Sequence, residues 1–83
     1  MYELELSDKA KKQLRNLPSE LQHRIGFAFE RIKINPFRSI KRKQGTPYFI
    51  LRIGEYRAIL DVKNNKLLIP VIEIGPRKKI YKS

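Results

Sequence analysis

Two short turn segments, Ile53-Gly54-Glu55 and Lys63-Asn64-Asn65-Lys66, constrain this chain more than any other feature. They separate runs of strand-forming residues at about 48–53, 55–62 and 67–74. Connections this short leave no room for a crossover, so the runs must be antiparallel neighbours. Strand side chains alternate, so Tyr56, Ala58, Leu60 and Val62 share one face and Glu55, Arg57, Ile59 and Asp61 the other. The first set suits a core, and Arg57 then stands on the uncovered face. By the same parity Tyr48, Ile50 and Arg52 join it from the strand before, with Val71 and Glu73 from the last strand. That last strand is apolar on both faces, as an interior strand should be, yet Pro70 cannot donate to a ladder. A bulge or a local edge at Pro70 resolves the conflict.

The first half of the chain has other periods. Tyr2, Leu4 and Leu6 alternate with Glu3 and Glu5 and predict a strand with the apolar residues inward. Ser7 is placed to N-cap a short helix over about 8–16, with Asp8 at its positive end and Ala10, Leu14 and Leu17 along one side. Pro18 interrupts it. Ser19 and Gln22 match a capping box for a second helix running to about Ile34, with Leu21, Ile25, Ala28, Phe29 and Ile32 as its apolar stripe. So short a connection makes the helices an antiparallel pair. From Asn35 to Pro47 periodicity is lost, and the segment reads as a loop carrying Arg38, Lys41, Arg42 and Lys43. The expected fold is α+β, with an N-terminal strand and an antiparallel helix hairpin packed on one face of a small, largely antiparallel sheet.

A chain of 83 residues holds one domain, 1–83, with one modest core. It lacks cysteine, so neither a disulfide nor a thiolate metal site staples the fold. Its start is an alternating strand rather than a leader, and no apolar run approaches the roughly 20 residues of a membrane span. These features predict a soluble, cytoplasmic protein.

Charge points to a partner. The net charge is +11, and it is localised: residues 1–30 are neutral, whereas residues 31–57 carry eight cations against Glu55 alone. Such a concentration of positive charge draws in phosphate-bearing polymers, with an acidic protein the next best fit. Arginine suits the task because its guanidinium forks match phosphate oxygens and keep their charge near neutral pH. On the second helix His23, Phe27, Glu30 and Ile34 form a stripe on the side away from the core. Phe27 reads either as an edge-of-core residue or, with Ile34, as a docking surface for another protein. His23, the only histidine, reads as a surface residue.

The phrase Leu51-Arg52-Ile53-Gly54-Glu55-Tyr56-Arg57, with the closing Gly75-Pro76-Arg77 to Tyr81, resembles the RelE/ParE superfamily of toxins from type II toxin–antitoxin pairs. The order of strand, helix pair, basic loop and arginine-bearing strands extends the resemblance over nearly the whole chain. For RelE-like members it implies a microbial-RNase-like fold. It also implies cleavage of mRNA in the ribosomal A site, without metal or other cofactor, and neutralisation by a RelB-like antitoxin. Carried across residue by residue, Arg57 resembles the sheet arginine that contacts the reacting phosphate, and Arg77 a C-terminal arginine with similar duty. Tyr81 resembles the terminal tyrosine that stacks on or activates substrate. Two of the three have a structural alternative: Arg57 pairing with Glu73, and Tyr81 anchoring the tail. Arg38, Lys41, Arg42, Lys43, Arg52, Lys78 and Lys79 are the expected RNA-backbone contacts, and Phe27 with Ile34 the expected antitoxin foothold.

In one respect the chain departs from the RelE pattern. The outward positions where RelE enzymes carry lysines hold Tyr48 and Ile50. The base for the 2′-hydroxyl must then be Glu73, or Lys41 or Lys43 reaching in from the loop, or cleavage rests largely on ribosomal positioning of the mRNA. Failing these, the chain stands closer to ParE-like members that inhibit DNA gyrase, or is a non-catalytic RNA-binding module.

Overall fold

A computed structural model describes residues 1–77. β1 (Glu3–Leu6) leads into α1 (Asp8–Arg15) and α2 (Ser19–Ile34), and a single 3-10 turn over Pro36–Arg38 precedes β2 (Ile40–Arg42). β3 (Phe49–Ile53), β4 (Tyr56–Leu60), a second 3-10 turn over Asn64–Lys66 and β5 (Leu68–Pro76) complete it. The sheet runs β1-β5-β4-β3-β2, with β1 parallel to β5 and the other pairs antiparallel. The α+β arrangement, helix pair and antiparallel hairpins are as expected.

Local chemistry accounts for most boundaries. Ser7 Oγ accepts from Ala10 N–H at 3.0 Å and caps α1. The capping box expected for α2 does not form: Pro18 takes the cap position, and Gln22 Nε2 instead donates to Leu17 O at 2.8 Å. Gly54 adopts φ 59° at the first position of the two-residue β3–β4 turn, where a left-handed conformation favours glycine. β2 was legible only as loop. It has three residues, one of them apolar, and its strand conformation comes from pairing with β3 through Ile40↔Leu51, Lys41↔Ile50 and Arg42↔Phe49.

The core lies between the helices and one sheet face. Ile25, Phe29 and Ile32 of α2 and Ala10 of α1 pack with Leu51, Ile53, Ala58, Leu60, Ile69, Val71 and Ile74. Burying each large aliphatic or aromatic side chain contributes about 1.5–3 kcal/mol, which selects this register of alternation over a slipped one. Tyr2, Leu4 and Leu6 line the rim of the same core.

The conflict at Pro70 is resolved beside it. Pro70 O accepts from Asp61 N–H at 2.9 Å just past the end of β4. The β4–β5 register slips where Ile59↔Glu73 gives way to Leu60↔Val71, leaving Ile72 as the extra residue. Beyond Leu6 the flank of β5 has lost β1, and α1 supplies the missing partners. Ser7 Oγ donates to Ile72 O at 2.7 Å, and Gln13 Oε1 accepts from Ile74 N–H at 2.7 Å.

Candidate functional site

The slip decides which β5 residues reach the outer face. Val71, expected there, lies in the core, because the extra residue inverts the alternation; Glu73 remains outside, opposite Ile59. Two rows then cross the outer face. Lys41, Ile50, Ile59 and Glu73 form one, and Arg52, Arg57 and Gly75 the other. With neighbouring strands about 4.8 Å apart, Lys41 and Glu73 stand roughly 14 Å from each other at opposite ends of their row.

Arg57 has the expected outward parity but is not open to solvent. Only 4% of it is exposed, whereas Arg52 across from it is exposed. β4 is the middle strand, so Arg57 sits at the centre of the face with a strand on either side. Arg77 is brought to the same end of the sheet: its N–H donates to Glu55 O at 3.0 Å. Its Nε is buried with no hydrogen-bond partner among the described residues, a donor suited to an anion.

Glu73 is held by Lys9 of α1, whose Nζ lies 3.0 Å from Oε1. Lys9 was not singled out in the sequence; a contact between residues so far apart leaves no local signal. Tyr48 and Ile50 occupy the outward positions of the β3 segment as expected, and Lys41 stands directly across from Ile50 on β2. A lysine therefore reaches this row from the neighbouring strand. Lys43 continues the β2 pairing, with its N–H on Tyr48 O at 2.9 Å, and lies further from Arg57 than Lys41 does. The Arg42 guanidinium lies 5.6 Å from the Phe49 ring centroid. Arg38 is exposed in the turn before β2. Lys78, Lys79 and Tyr81 lie outside the described residues.

On the back of α2 Phe27 is 73% and Ile34 72% exposed, so the edge-of-core reading of Phe27 is not met. Three ion pairs, Lys9–Glu73, Lys33–Glu30 and Lys63–Asp61, occur among the described residues, and the outer-face cations Lys41 and Arg52 belong to none of them. No helix among these residues is long and apolar enough to cross a membrane.

A helix pair backs a small five-stranded sheet, and Arg52 and Arg57 lie on the opposite face. The sequence model described as ParE toxin of type II toxin-antitoxin system, parDE, matches residues 4–81, and the chain belongs to this toxin family. The fold is that of RelE toxins. A chain of the RelBE2 toxin–antitoxin complex from Mycobacterium tuberculosis superposes with a TM-score of 0.81 at 23% identity, covering 92% of this chain and 98% of that one. The archaeal RelE–RelB complex from Pyrococcus horikoshii gives 0.80 at 22% identity, with 92% and 94% covered. The isolated RelE toxin of E. coli gives 0.77 at 20% identity, with 99% and 93% covered. No curated protein sequence matches closely enough to count as a relative.

Proposed function

We propose that this toxin arrests translation by cutting mRNA in the ribosomal A site. The observation that carries the reading is Arg57 at the centre of the outer face with Arg52 opposite and Arg77 at the same end. Such a group fits a phosphodiester whose 2′-oxygen attacks phosphorus. The P–O5′ bond then breaks, a 2′,3′-cyclic phosphate forms, and the 5′-oxygen leaves, taking its proton from solvent water. Arg57 and Arg77 stabilise the charge that develops on the non-bridging oxygens, which cations fixed in advance do better than solvent. Tyr81 stacks on or activates the substrate.

The proton of the 2′-hydroxyl goes to Glu73, with Lys43 and Lys41 as the other candidates. Glu73 is the nearest of these to Arg57 by register, diagonal to it across β4 and β5, about 7–8 Å between backbone positions. Its pairing with Lys9 must open for it to act. Arg38, Lys41, Arg42, Lys43, Arg52, Lys78 and Lys79 hold the RNA backbone. Control comes from a RelB-like antitoxin, as in the complexes named above, here through an amphipathic, acidic helix that seats on Phe27 and Ile34 and reaches the basic face.

A second reading, inhibition of DNA gyrase, is favoured by the ParE family match and by Tyr48 and Ile50 at the outward β3-side positions. Toeprinting on translating ribosomes separates the two. New A-site breaks support mRNA cleavage; intact mRNA with inhibited supercoiling supports the gyrase reading; neither effect leaves a non-catalytic RNA-binding module.

A further inference from the structure

Two shallow hollows meet where β2 begins. One, of about 170 Å³, lies on the outer face and is lined by Ser39, Lys41, Arg42, Ile50 and Arg52. The other, of about 270 Å³, lies toward α2 and is lined by Ala28, Arg31, Ser39, Leu51 and Arg52. Ile50 belongs to the outer row and Leu51 to the core face, so the hollows lie on opposite sides of the sheet. Ser39 and Arg52 border both. The pairing of β2 stops at Ile40↔Leu51, and the edge of β3 at Arg52 is left without a paired strand. The two hollows thus flank this edge of the sheet, with Ser39 and Arg52 common to both.

Its cations are available. Arg31, Lys41 and Arg52 form no ion pair with any described residue. Phe37, two residues before Ser39, is held edge-on to Phe49 with ring centroids 5.8 Å apart and is 49% exposed.

Resting on the RNA reading above, we infer that this edge is the path by which a single strand leaves the outer face. Lys41 and Arg52 bind phosphates on the outer side, the strand turns at Ser39, and Arg31 of α2 binds a phosphate beyond the turn. A duplex, stiff over about 150 base pairs, cannot follow a bend round the edge of one sheet; a single strand can. The exposed Phe37 ring offers a base a stacking surface beside the cations, which an acidic peptide would not use. Arg31 is thus a positioning residue for the flanking RNA, away from the bond that breaks.

The test uses the full chain with uncleavable 2′-O-methyl oligoribonucleotides, one of about four and one of about twelve nucleotides, spanning the usual single-strand site sizes. Binding is followed by fluorescence anisotropy over a range of salt. Arg31→Gln should weaken the longer oligonucleotide only and lower its log–log salt slope by about 0.7, one phosphate contact. Lys41→Gln should weaken both, and Arg15→Gln, at the far end of α1, neither. The path is overturned if Arg31→Gln behaves like Arg15→Gln, if an RNA duplex shows the same dependence on Arg31, or if polyglutamate competes through Arg31. Ribosome toeprinting keeps the two readings apart. Arg31-independent binding by a chain that still cuts mRNA removes the path alone; absent cleavage with Arg31-dependent binding removes mRNA scission alone.

Discussion

Arg52 and Arg57 stand directly opposite each other on β3 and β4, two like charges in cross-strand register on one face of the sheet. Like charges directly opposite each other repel, on the order of the 0.2–1 kcal/mol of a cross-strand pair, and Arg52 is the exposed member whose charge can be removed. Arg52→Gln should therefore be the more stable protein at low ionic strength, by that amount in urea unfolding. Added phosphate should stabilise the parent more than the variant. An Arg52→Gln protein less stable than the parent at every phosphate concentration contradicts the like-charge account.

The two glycines Gly54 and Gly26 should respond in opposite directions to alanine. Gly54 has φ 59°, and a Cβ there would lie 3.2 Å from Arg24 Nη2, the mobile end of a side chain. The side chain can move aside but the backbone conformation cannot, so Gly54→Ala should cost about 1–2 kcal/mol. A Cβ on Gly26, inside α2, meets nothing within 4 Å, and Gly26→Ala should stabilise by up to about 1 kcal/mol. Thermal unfolding of both variants measures the contrast, and a neutral Gly54→Ala would show that the turn has another accessible form.

Phe27→Asp should weaken antitoxin binding and leave toxin activity intact, because the side chain is 73% exposed and belongs to no core contact. Calorimetric titration with the cognate antitoxin checks it. Unchanged affinity would move the antitoxin's foothold off α2, toward the sheet.

How much of this was legible in the sequence differs by element. The extents of α1 and α2, the Ser7 cap and the β3–β4 hairpin follow from local chemistry, since capping, periodicity and turn residues act within a few positions. The outward parity of Arg57 was legible for the same reason. Its burial was not, because that depends on β4 being the middle strand, which the order of elements along the chain leaves open. β2 and the register slip that turns Val71 inward are products of pairing between distant segments. Ser19 and Gln22 carried a local signal that lost to Pro18, whose position and neighbouring carbonyls gave Gln22 a different partner.

The central claim, that Arg57 stabilises the transition state of RNA cleavage, is tested most directly by single-turnover cleavage on programmed ribosomes at saturating toxin. Arg57→Gln should cleave about 10²- to 10³-fold more slowly than the parent, the usual effect of losing one preorganised donor. The variant should keep the parent's circular dichroism and thermal unfolding, and Arg77→Ala should fall in the same range. An Arg57→Gln toxin that cuts at the parent's rate, or one that loses activity only because it unfolds, would contradict the account.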